Sequence, residues 1–271
     1  MRTLPIERIS SLDSPDIEPY RTLRAPGHPG RGLFVAEGSK VVLRLLESGL
    51  QPVSFLLTPD WVEKLADILP PLGPDVRFFV AERRLMEGIV GFRFHQGIMA
   101  IARIPDEPDP RTLRQGHLLV ALDALHHAEN VGVIIRNCAG LGADAVIAGE
   151  TCSDPWLRRS VRNSMGGIFR LPVFRPASLG EFLTGLRSGS GTRLIAADAH
   201  GSATIEEESF QGNICILAGN EEAGIRQEIL ALCDTQISIP MHHGVDSLNV
   251  ASAVAVLLHA ARSRHAGAVG A

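Results

Sequence analysis

The sequence has few aromatic residues, which make up 5% of its 271 residues, although 45% of the chain is hydrophobic. A core of this composition must be built mainly from alanine, valine, leucine and isoleucine. Such a mixture is typical of helices layered on a sheet, and it argues against a β-sandwich. The length is sufficient for one large domain or two small ones.

Cysteine is also scarce, and its four positions include no close pair: Cys138, Cys152, Cys215 and Cys233. This spacing argues against a disulfide framework and against a zinc site, since both need clustered cysteines. The adjacent histidines His242 and His243 have no third or fourth ligand evident in the sequence, so we interpret them as loop residues. We therefore expect no metal in this protein.

Long apolar segments are absent, and we expect no amino-terminal leader. No apolar run approaches the roughly 20 residues that a helix needs to cross a bilayer. Residues 1–8 carry charge but no apolar stretch with a cleavage site, so we do not expect them to form a signal peptide. We expect a cytoplasmic protein with no membrane partner.

Two phosphate-binding signatures are missing as well. The chain contains neither the Gly-x-Gly-x-x-Gly fingerprint of dinucleotide-binding folds nor a Gly-Lys-Ser/Thr phosphate loop. A Rossmann-type oxidoreductase or methyltransferase is therefore disfavoured.

Lysine is almost absent, since Lys40 and Lys64 are its only occurrences and the other basic residues are arginine. The formal net charge of −4 does not favour a nucleic-acid partner, but binding depends on local patches more than on whole-chain charge. One patch is predicted on and just after a helix: Arg158, Arg159, Arg162 and Arg170. It is either a solvated helix face or an RNA-binding surface, because arginine also suits phosphate contacts.

A proline-rich acidic segment divides the chain. Residues 104–110 show no periodicity, which predicts a linker at 105–112 between a domain of residues 1–104 and another of residues 113–271. In the first domain, the apolar patterns predict helices at 39–48 and 61–69 and strands at 53–57, 76–80 and 98–104. We expect a small α/β domain there.

Strands and helices alternate more clearly after the linker. Predicted strands lie at residues 117–122, 145–148, 171–174, 194–197, 214–218 and 237–239. Predicted helices lie at residues 131–141, 156–164, 179–186, 225–232 and 248–262. This alternation predicts a mostly parallel sheet covered on both faces, with ligands at the carboxyl ends of its strands.

Polar residues follow three of these strands. After the first come Asn130, a predicted N-cap, and Arg136, which either snorkels to solvent or binds an anion. Residues 219–221, Gly-Asn-Glu, form either a polar turn or a tight loop against a ligand. Ser247 and Asn249 flank the start of the last helix, where either can cap it.

Together these blocks resemble the three signature motifs of the SpoU (TrmH) branch of the SPOUT methyltransferases. Residues 130–136, Asn-Val-Gly-x-x-x-Arg, are similar to the first motif, residues 219–221 to the second, and residues 247–250, Ser-Leu-Asn-Val, to the third. Residues 163–173 resemble the serine-glycine, phenylalanine-arginine and proline run that lies between the first two motifs. Residues 31–38 are similar, more loosely, to the start of an RNA-binding domain that precedes many such enzymes.

The resemblance implies an α/β fold in two parts. It implies a carboxyl-terminal SPOUT-type catalytic domain with a trefoil knot (an α/β-knot), and before it a small α/β RNA-binding domain resembling a ribosomal-protein fold. It further implies a homodimer with the active site near the subunit interface. The implied cofactor is S-adenosylmethionine, bound at Gly219, Ile239, Met241, Leu248 and Asn249.

The implied activity is methyl transfer from S-adenosylmethionine to a ribose 2′-hydroxyl of RNA, and the accessory domain favours rRNA over tRNA. The implied catalytic residues are Asn130, Arg136, Glu221, Ser247 and Asn249. Because a guanidinium stays protonated at neutral pH, we assign Arg136 chiefly to holding a phosphate and stabilising the developing alkoxide, with base catalysis left open. The alternative function is a non-catalytic RNA-binding protein that retains the cofactor pocket.

Overall fold

Packing divides the chain into two compact units. The computed structural model describes residues 4–22, 32–91, 94 and 96–265. The first unit comprises Met1–Asp106 and Trp156–Phe169, and the second comprises Glu107–Pro155 and Arg170–Ala271. The division after Asp106 falls inside the predicted linker, whereas residues 156–169, which the sequence analysis placed in the second domain, group with the first unit. Arg31, the first residue of the segment that resembles an RNA-binding domain, lies outside the described residues.

A five-stranded sheet forms the centre of the first unit. Its strands are β1 (Ile6–Arg8), β2 (Leu33–Glu37), β3 (Pro52–Leu57), β4 (Arg77–Val80) and β5 (Ile98–Arg103), in the order β1-β4-β3-β5-β2. β4 runs parallel to β1 and β3, while β5 is antiparallel to β3 and β2. The helices are α1 (Glu18–Thr22), α2 (Ser39–Glu47), α3 (Pro59–Ile68) and α4 (Arg83–Val90). Neither α4 nor the three-residue β1 was predicted from the sequence.

The second unit alternates strands and helices in chain order. The elements are β6 (Leu118–Leu122), α5 (Ala128–Leu141), β7 (Ala145–Ala148), α6 (Arg158–Asn163, grouped with the first unit), β8 (Val173–Phe174), α7 (Leu179–Ser190), β9 (Arg193–Ala197), β10 (Ala203–Thr204), β11 (Ile214–Ala218), α8 (Gln227–Leu230), β12 (Thr235–Ser238) and α9 (Val250–His265). Within the described ranges, no helix is both long enough and apolar enough to cross a bilayer.

All strand pairs of the second sheet are parallel. The order is β10-β12-β9-β11-β6-β7-β8. Every residue of β6, β7 and β11, three of the five inner strands, is buried. This explains their continuous apolar sequences, because a parallel strand covered on both faces has no solvent side. The predicted mostly parallel sheet is confirmed. Helices α5 and α9 pack against each other beside it.

Helix α5 begins three residues earlier than the sequence predicted. Its N-cap position is His127, so Asn130 lies in the first turn and the prediction that Asn130 caps this helix is wrong. The apolar periodicity starts at Val131 and conceals the earlier start, because residues 126–130 are polar or small. The side chain of Asn130 is therefore available for contacts outside the helix.

The chain crosses over β12 between β9 and β10. Ala197 at the end of β9 pairs with Ile237 on one side, and Ala203 at the start of β10 pairs with the same residue on the other. Residues 198–202 must therefore pass over one face of β12. A Cβ atom on Gly201 would lie 2.6 Å from the backbone carbon of Ile237, so this close crossing requires glycine.

Candidate active site

A cavity of about 670 Å³ opens at the carboxyl ends of β9, β11 and β12. Four of the five predicted cofactor residues line it: Gly219, Ile239, Met241 and Leu248. The fifth, Asn249, is not among the lining residues. Of the predicted catalytic residues, Glu221 and Ser247 line the cavity, while Asn130 and Arg136 do not. Segments that lie far apart in the sequence therefore meet where a parallel sheet ordinarily binds its ligand.

Residues 219–225 form a tightly closed loop along this cavity. Asn220 and Gly224 are joined by a pair of backbone hydrogen bonds, each 2.9 Å long. The side-chain oxygen of Asn220 accepts from the backbone N–H groups of Glu222 and Ala223 at 2.9 and 3.0 Å. A Cβ on Gly219 would come within 2.4 Å of the Gly224 backbone, so no larger residue fits there. The glycine is required by the close approach of the loop's own backbone, and the predicted approach to a ligand stays a prediction.

Side chains from all three motifs meet at Asn130. Its side-chain amide donates a hydrogen bond to the Glu221 carboxylate. Its side-chain oxygen accepts from the Nδ2 of Asn249 at 3.3 Å. Asn249 also accepts from the backbone N–H of Ala251 at 3.0 Å, so it is Asn249 that caps α9, one of the two residues that the sequence left open. Asn130 is thus the point at which the three motifs are hydrogen-bonded together.

Arg136 projects from α5 into solvent. It is an exposed residue, and within the described part of the chain its guanidinium has no hydrogen-bond or ion-pair partner. This excludes a structural ion pair with any described residue. An unpaired guanidinium remains available to an anion such as a phosphate.

The arginines of the predicted patch belong to both units. Arg158, Arg159 and Arg162 lie on α6 in the first unit, whereas Arg170 lies in the second. Arg158 is nearly buried, with 11% of its side chain exposed, and its Nε donates to the Glu37 carboxylate at 2.6 Å. Arg162 lies 3.3 Å from the same carboxylate but keeps 58% of its side chain exposed. Arg158 thus packs within the first unit, and RNA contacts at all four arginines stay a prediction.

A cluster of charged side chains beneath the loop was not predicted. The Asp123 carboxylate, with 1% of its side chain exposed, accepts from the backbone N–H of Arg226 at 2.8 Å and from its Nε at 2.7 Å. The same guanidinium lies 2.7 Å from Glu150. Partial burial alone would lower the pKa of Arg226, but Glu150 and Asp123 outweigh it and raise that pKa. The available sequence signal was Asp123 itself, a carboxylate directly after a fully apolar strand.

The cysteines are poor nucleophiles in this environment. Burial raises the pKa of the Cys152 thiol to about 11 and that of Cys233 to about 11, and it raises those of Cys138 and Cys215 further. Because the thiolate is the reactive form, covalent catalysis by these residues is disfavoured at neutral pH.

Among the residues that the structure describes, no group of three or more histidine, cysteine or acidic side chains is placed to hold a metal ion.

Comparison with known proteins identifies the family. Residues 117–259 match the model of the SpoU rRNA Methylase family. A Mycobacterium bovis protein described as an uncharacterized tRNA/rRNA methyltransferase is 36% identical over 94% of this chain and 91% of its own. A 23S rRNA (uridine(2479)-2′-O)-methyltransferase of Streptomyces viridochromogenes is 35% identical over 63% of this chain and 61% of its own.

A solved structure agrees along nearly the whole chain. The AdoMet-bound rRNA methyltransferase from Sinorhizobium meliloti superposes with a TM-score of 0.83 and 26% identity, covering 95% of this chain and 98% of that one. The family match covers the three motifs that meet at Asn130 and the cavity beside them. The chain belongs to the SpoU rRNA methylase family.

Proposed function

We propose that this protein transfers a methyl group from S-adenosylmethionine to a ribose 2′-hydroxyl of RNA, with rRNA favoured over tRNA. The observation that carries the proposal is the junction at Asn130, which joins Glu221 and Asn249 at the border of the cavity. Membership of the SpoU family and the 23S rRNA substrate of the Streptomyces relative support the reaction and the substrate class. An RNA substrate of this kind also favours a cytoplasmic location.

The cavity suits S-adenosylmethionine in size and in charge. A volume of about 670 Å³ falls within the usual range for small-molecule sites. Its lining includes four acidic residues and no lysine or arginine: Asp198, Glu221, Glu222 and Asp246. Such a lining favours a cationic ligand. When bound, S-adenosylmethionine supplies a methyl group already activated by its sulfonium.

The protein's own task is then to position and activate the ribose hydroxyl. Arg136 has an exposed guanidinium without a described protein partner, which suits it to hold the RNA phosphate and stabilise the negative charge that develops on the ribose oxygen. Asn130 is six residues earlier on α5 and fixes Glu221 and Asn249. Ser247 lies on the cavity wall beside Leu248, where it shapes the pocket.

A trefoil knot in the second unit is part of the proposal. It is supported by the crossing of residues 198–202 over β12, which pairs with β9 on one side and β10 on the other. Because β12 follows both β9 and β10 in the chain, it is placed beneath a crossing segment that precedes it. The loops that line the cavity follow β9, β11 and β12, so the crossing would hold them together.

A homodimer is also proposed, built on the outer face of α9 and the loop before it. Three large apolar side chains are exposed there: Val245 at 51%, Leu248 at 38% and Val256 at 40%. Exposed apolar side chains on a helix and on the loop before it are characteristic of an interface. Since Leu248 also lines the cavity, this interface would lie beside the active site.

The first unit is proposed to supply RNA affinity. Arg159 and Arg162 are exposed on α6, which groups with that unit, and Arg170 follows in the second. Arginine side chains of this kind contact phosphates regardless of sequence. The assigned role predicts that replacing Arg159 and Arg162 weakens RNA binding without changing cofactor affinity.

The proposal is tested by mapping 2′-O-methylated riboses across total RNA from cells with and without the gene. Loss of one ribose methyl in rRNA supports the proposal, and loss of one in tRNA supports the reaction while overturning the preferred substrate. An unchanged ribose map would contradict the proposed function.

A further inference from the structure

A charged cluster lies beneath the loop of residues 219–225, here called the cofactor loop. A role for this cluster rests on the proposed function of the cavity. Three elements contribute one side chain each: Asp123 follows β6, Glu150 follows β7, and Arg226 follows the loop of residues 219–225. The Arg226 guanidinium lies between the two carboxylates, 2.7 Å from each. Glu150 in turn accepts from the backbone N–H of Leu179, the first residue of α7, at 2.8 Å.

Asp123 holds both the backbone and the side chain of Arg226. One carboxylate oxygen accepts from the backbone N–H, and the other accepts from Nε. The carboxyl-terminal end of the loop therefore cannot move without breaking a hydrogen bond to a nearly buried carboxylate. Losing a hydrogen bond to a buried charge costs much folding free energy, because the charge cannot form a hydrogen bond to water in its place.

The other end of the loop is tied to the same neighbouring segment. The side-chain amide of Asn220 donates to the backbone oxygen of Ala124 at 3.1 Å. Ala124 has a φ of 54°, in the left-handed region that non-glycine residues seldom adopt. Its conformation is thus sustained between the Asp123 ion pair on one side and the Asn220 hydrogen bond on the other.

We propose that Arg226, clamped between Asp123 and Glu150, is a positioning residue that sets the shape of the cofactor loop and thereby the affinity for S-adenosylmethionine. It lines no part of the cavity itself, but residues 219–225, directly before it, form one wall. Arginine is required because its planar fork reaches two carboxylates from one side chain, whereas lysine offers a single point charge. A lysine at this position would keep the backbone hydrogen bond to Asp123, but its single ammonium group could not pair with Asp123 and Glu150 as the guanidinium does.

The test compares Arg226→Lys with a matched variant elsewhere in the same unit. Arg193 forms an ion pair with Glu208, whose side chain is 5% exposed, and neither residue lines the cavity. Both arginine-to-lysine variants keep a cation beside a nearly buried carboxylate but lose the planar fork of arginine. Both should therefore lower the midpoint temperature of thermal unfolding. Only Arg226→Lys should weaken S-adenosylmethionine binding in calorimetry, by about tenfold, the effect expected from losing one charge-assisted hydrogen bond. Arg193→Lys should stay within about twofold of the native affinity.

A milder variant keeps the test decisive if Arg226→Lys does not fold. Glu150→Gln leaves the ion pair of Arg226 with Asp123 intact and removes only its ion pair with residue 150. It should weaken cofactor binding by about threefold with little loss of thermal stability. If Arg226→Lys, or Glu150→Gln in its place, binds S-adenosylmethionine as tightly as Arg193→Lys does, the positioning role is overturned. Failure of the native protein to bind S-adenosylmethionine would instead overturn the proposed function, and the inference with it.

Discussion

The side-chain amide of Asn130 donates a hydrogen bond to the carboxylate of Glu221, a residue 91 positions later in the chain. The contact joins the first turn of α5 to the loop that lines the cavity. An amide can donate to Glu221 and accept from Asn249 at once, which neither a carboxylate nor an alkyl side chain can do. The identity of this residue therefore follows from the two partners it serves.

Asn130→Asp tests this relationship with a nearly isosteric change. The new carboxylate would face Glu221, and two close carboxylates raise the pKa of one of them. The pair should be repulsive at neutral pH and relieved as the pH falls and one group takes up a proton. Methyl transfer by Asn130→Asp should fall by about tenfold at pH 8 and recover partly near pH 6. Asn130→Ala, which cannot titrate, should show no such recovery, and equal pH profiles for the two variants would contradict the account.

Arg136→Ala should leave the fold and the cofactor affinity almost unchanged, because the guanidinium is exposed and has no partner among the described residues. Methyl transfer should fall by at least about a hundredfold, the scale of losing one oxyanion-stabilising donor. Arg136→Lys should restore little of it, since a point charge does not reproduce the planar fork. A suitable control is Arg187→Ala, which removes a half-exposed arginine paired with Asp234. Normal turnover by Arg136→Ala would show that Arg136 is a surface residue with no part in methyl transfer.

Gly219→Ala should abolish cofactor binding. Its Cβ would meet the backbone of Gly224 and Ile225 within 2.4 Å, so the loop must open to accept it. Overpacking of this kind typically destabilises a protein by about 1–3 kcal/mol. Gly185→Ala on α7 is the matched control, because no atom lies within 4 Å of its Cβ position and alanine favours a helix. Calorimetry with S-adenosylmethionine distinguishes the two, and native affinity in Gly219→Ala would refute the close packing of this loop.

Val256→Arg should convert the proposed dimer into a monomer. Val256 is 40% exposed on α9, and a charge buried at an apolar interface is costly. Ile68→Arg alters an apolar side chain of the first unit that is 49% exposed, and it should not change the molar mass. Light scattering at micromolar concentration measures both, and a native protein that is already a monomer would contradict the prediction.

The sequence predicted the inner sheet well because its signal is local. β7 and β11 have the predicted bounds, since a fully buried parallel strand is an uninterrupted apolar run that ends in polar residues. β1 was not predicted, because a three-residue strand whose residues are all exposed carries no apolar pattern. Helix α8 is shorter than the predicted 225–232, because Ile225 and Arg226 belong to the loop and its anchor.

Long-range pairings account for what the sequence did not reveal. The ion pair of Arg158 with Glu37 joins residues 121 positions apart, so the helix face alone could not indicate that one arginine of the patch is nearly buried. The ion pair of Asp123 with Arg226 likewise could not be read from local sequence, because these residues are 103 positions apart. The three motifs could be recognised by resemblance, but their meeting point at Asn130 becomes visible only in three dimensions.

The most direct test of the central claim is nucleoside analysis of RNA methylated by the purified protein. Undermodified rRNA is incubated with S-adenosylmethionine labelled in its methyl group, in the presence of a metal chelator, and digested to nucleosides. The account predicts that the label appears in a 2′-O-methylated nucleoside and that the chelator has no effect, because the sulfonium already activates the methyl group. Label on a base instead of the ribose, or activity lost with the chelator, would contradict it.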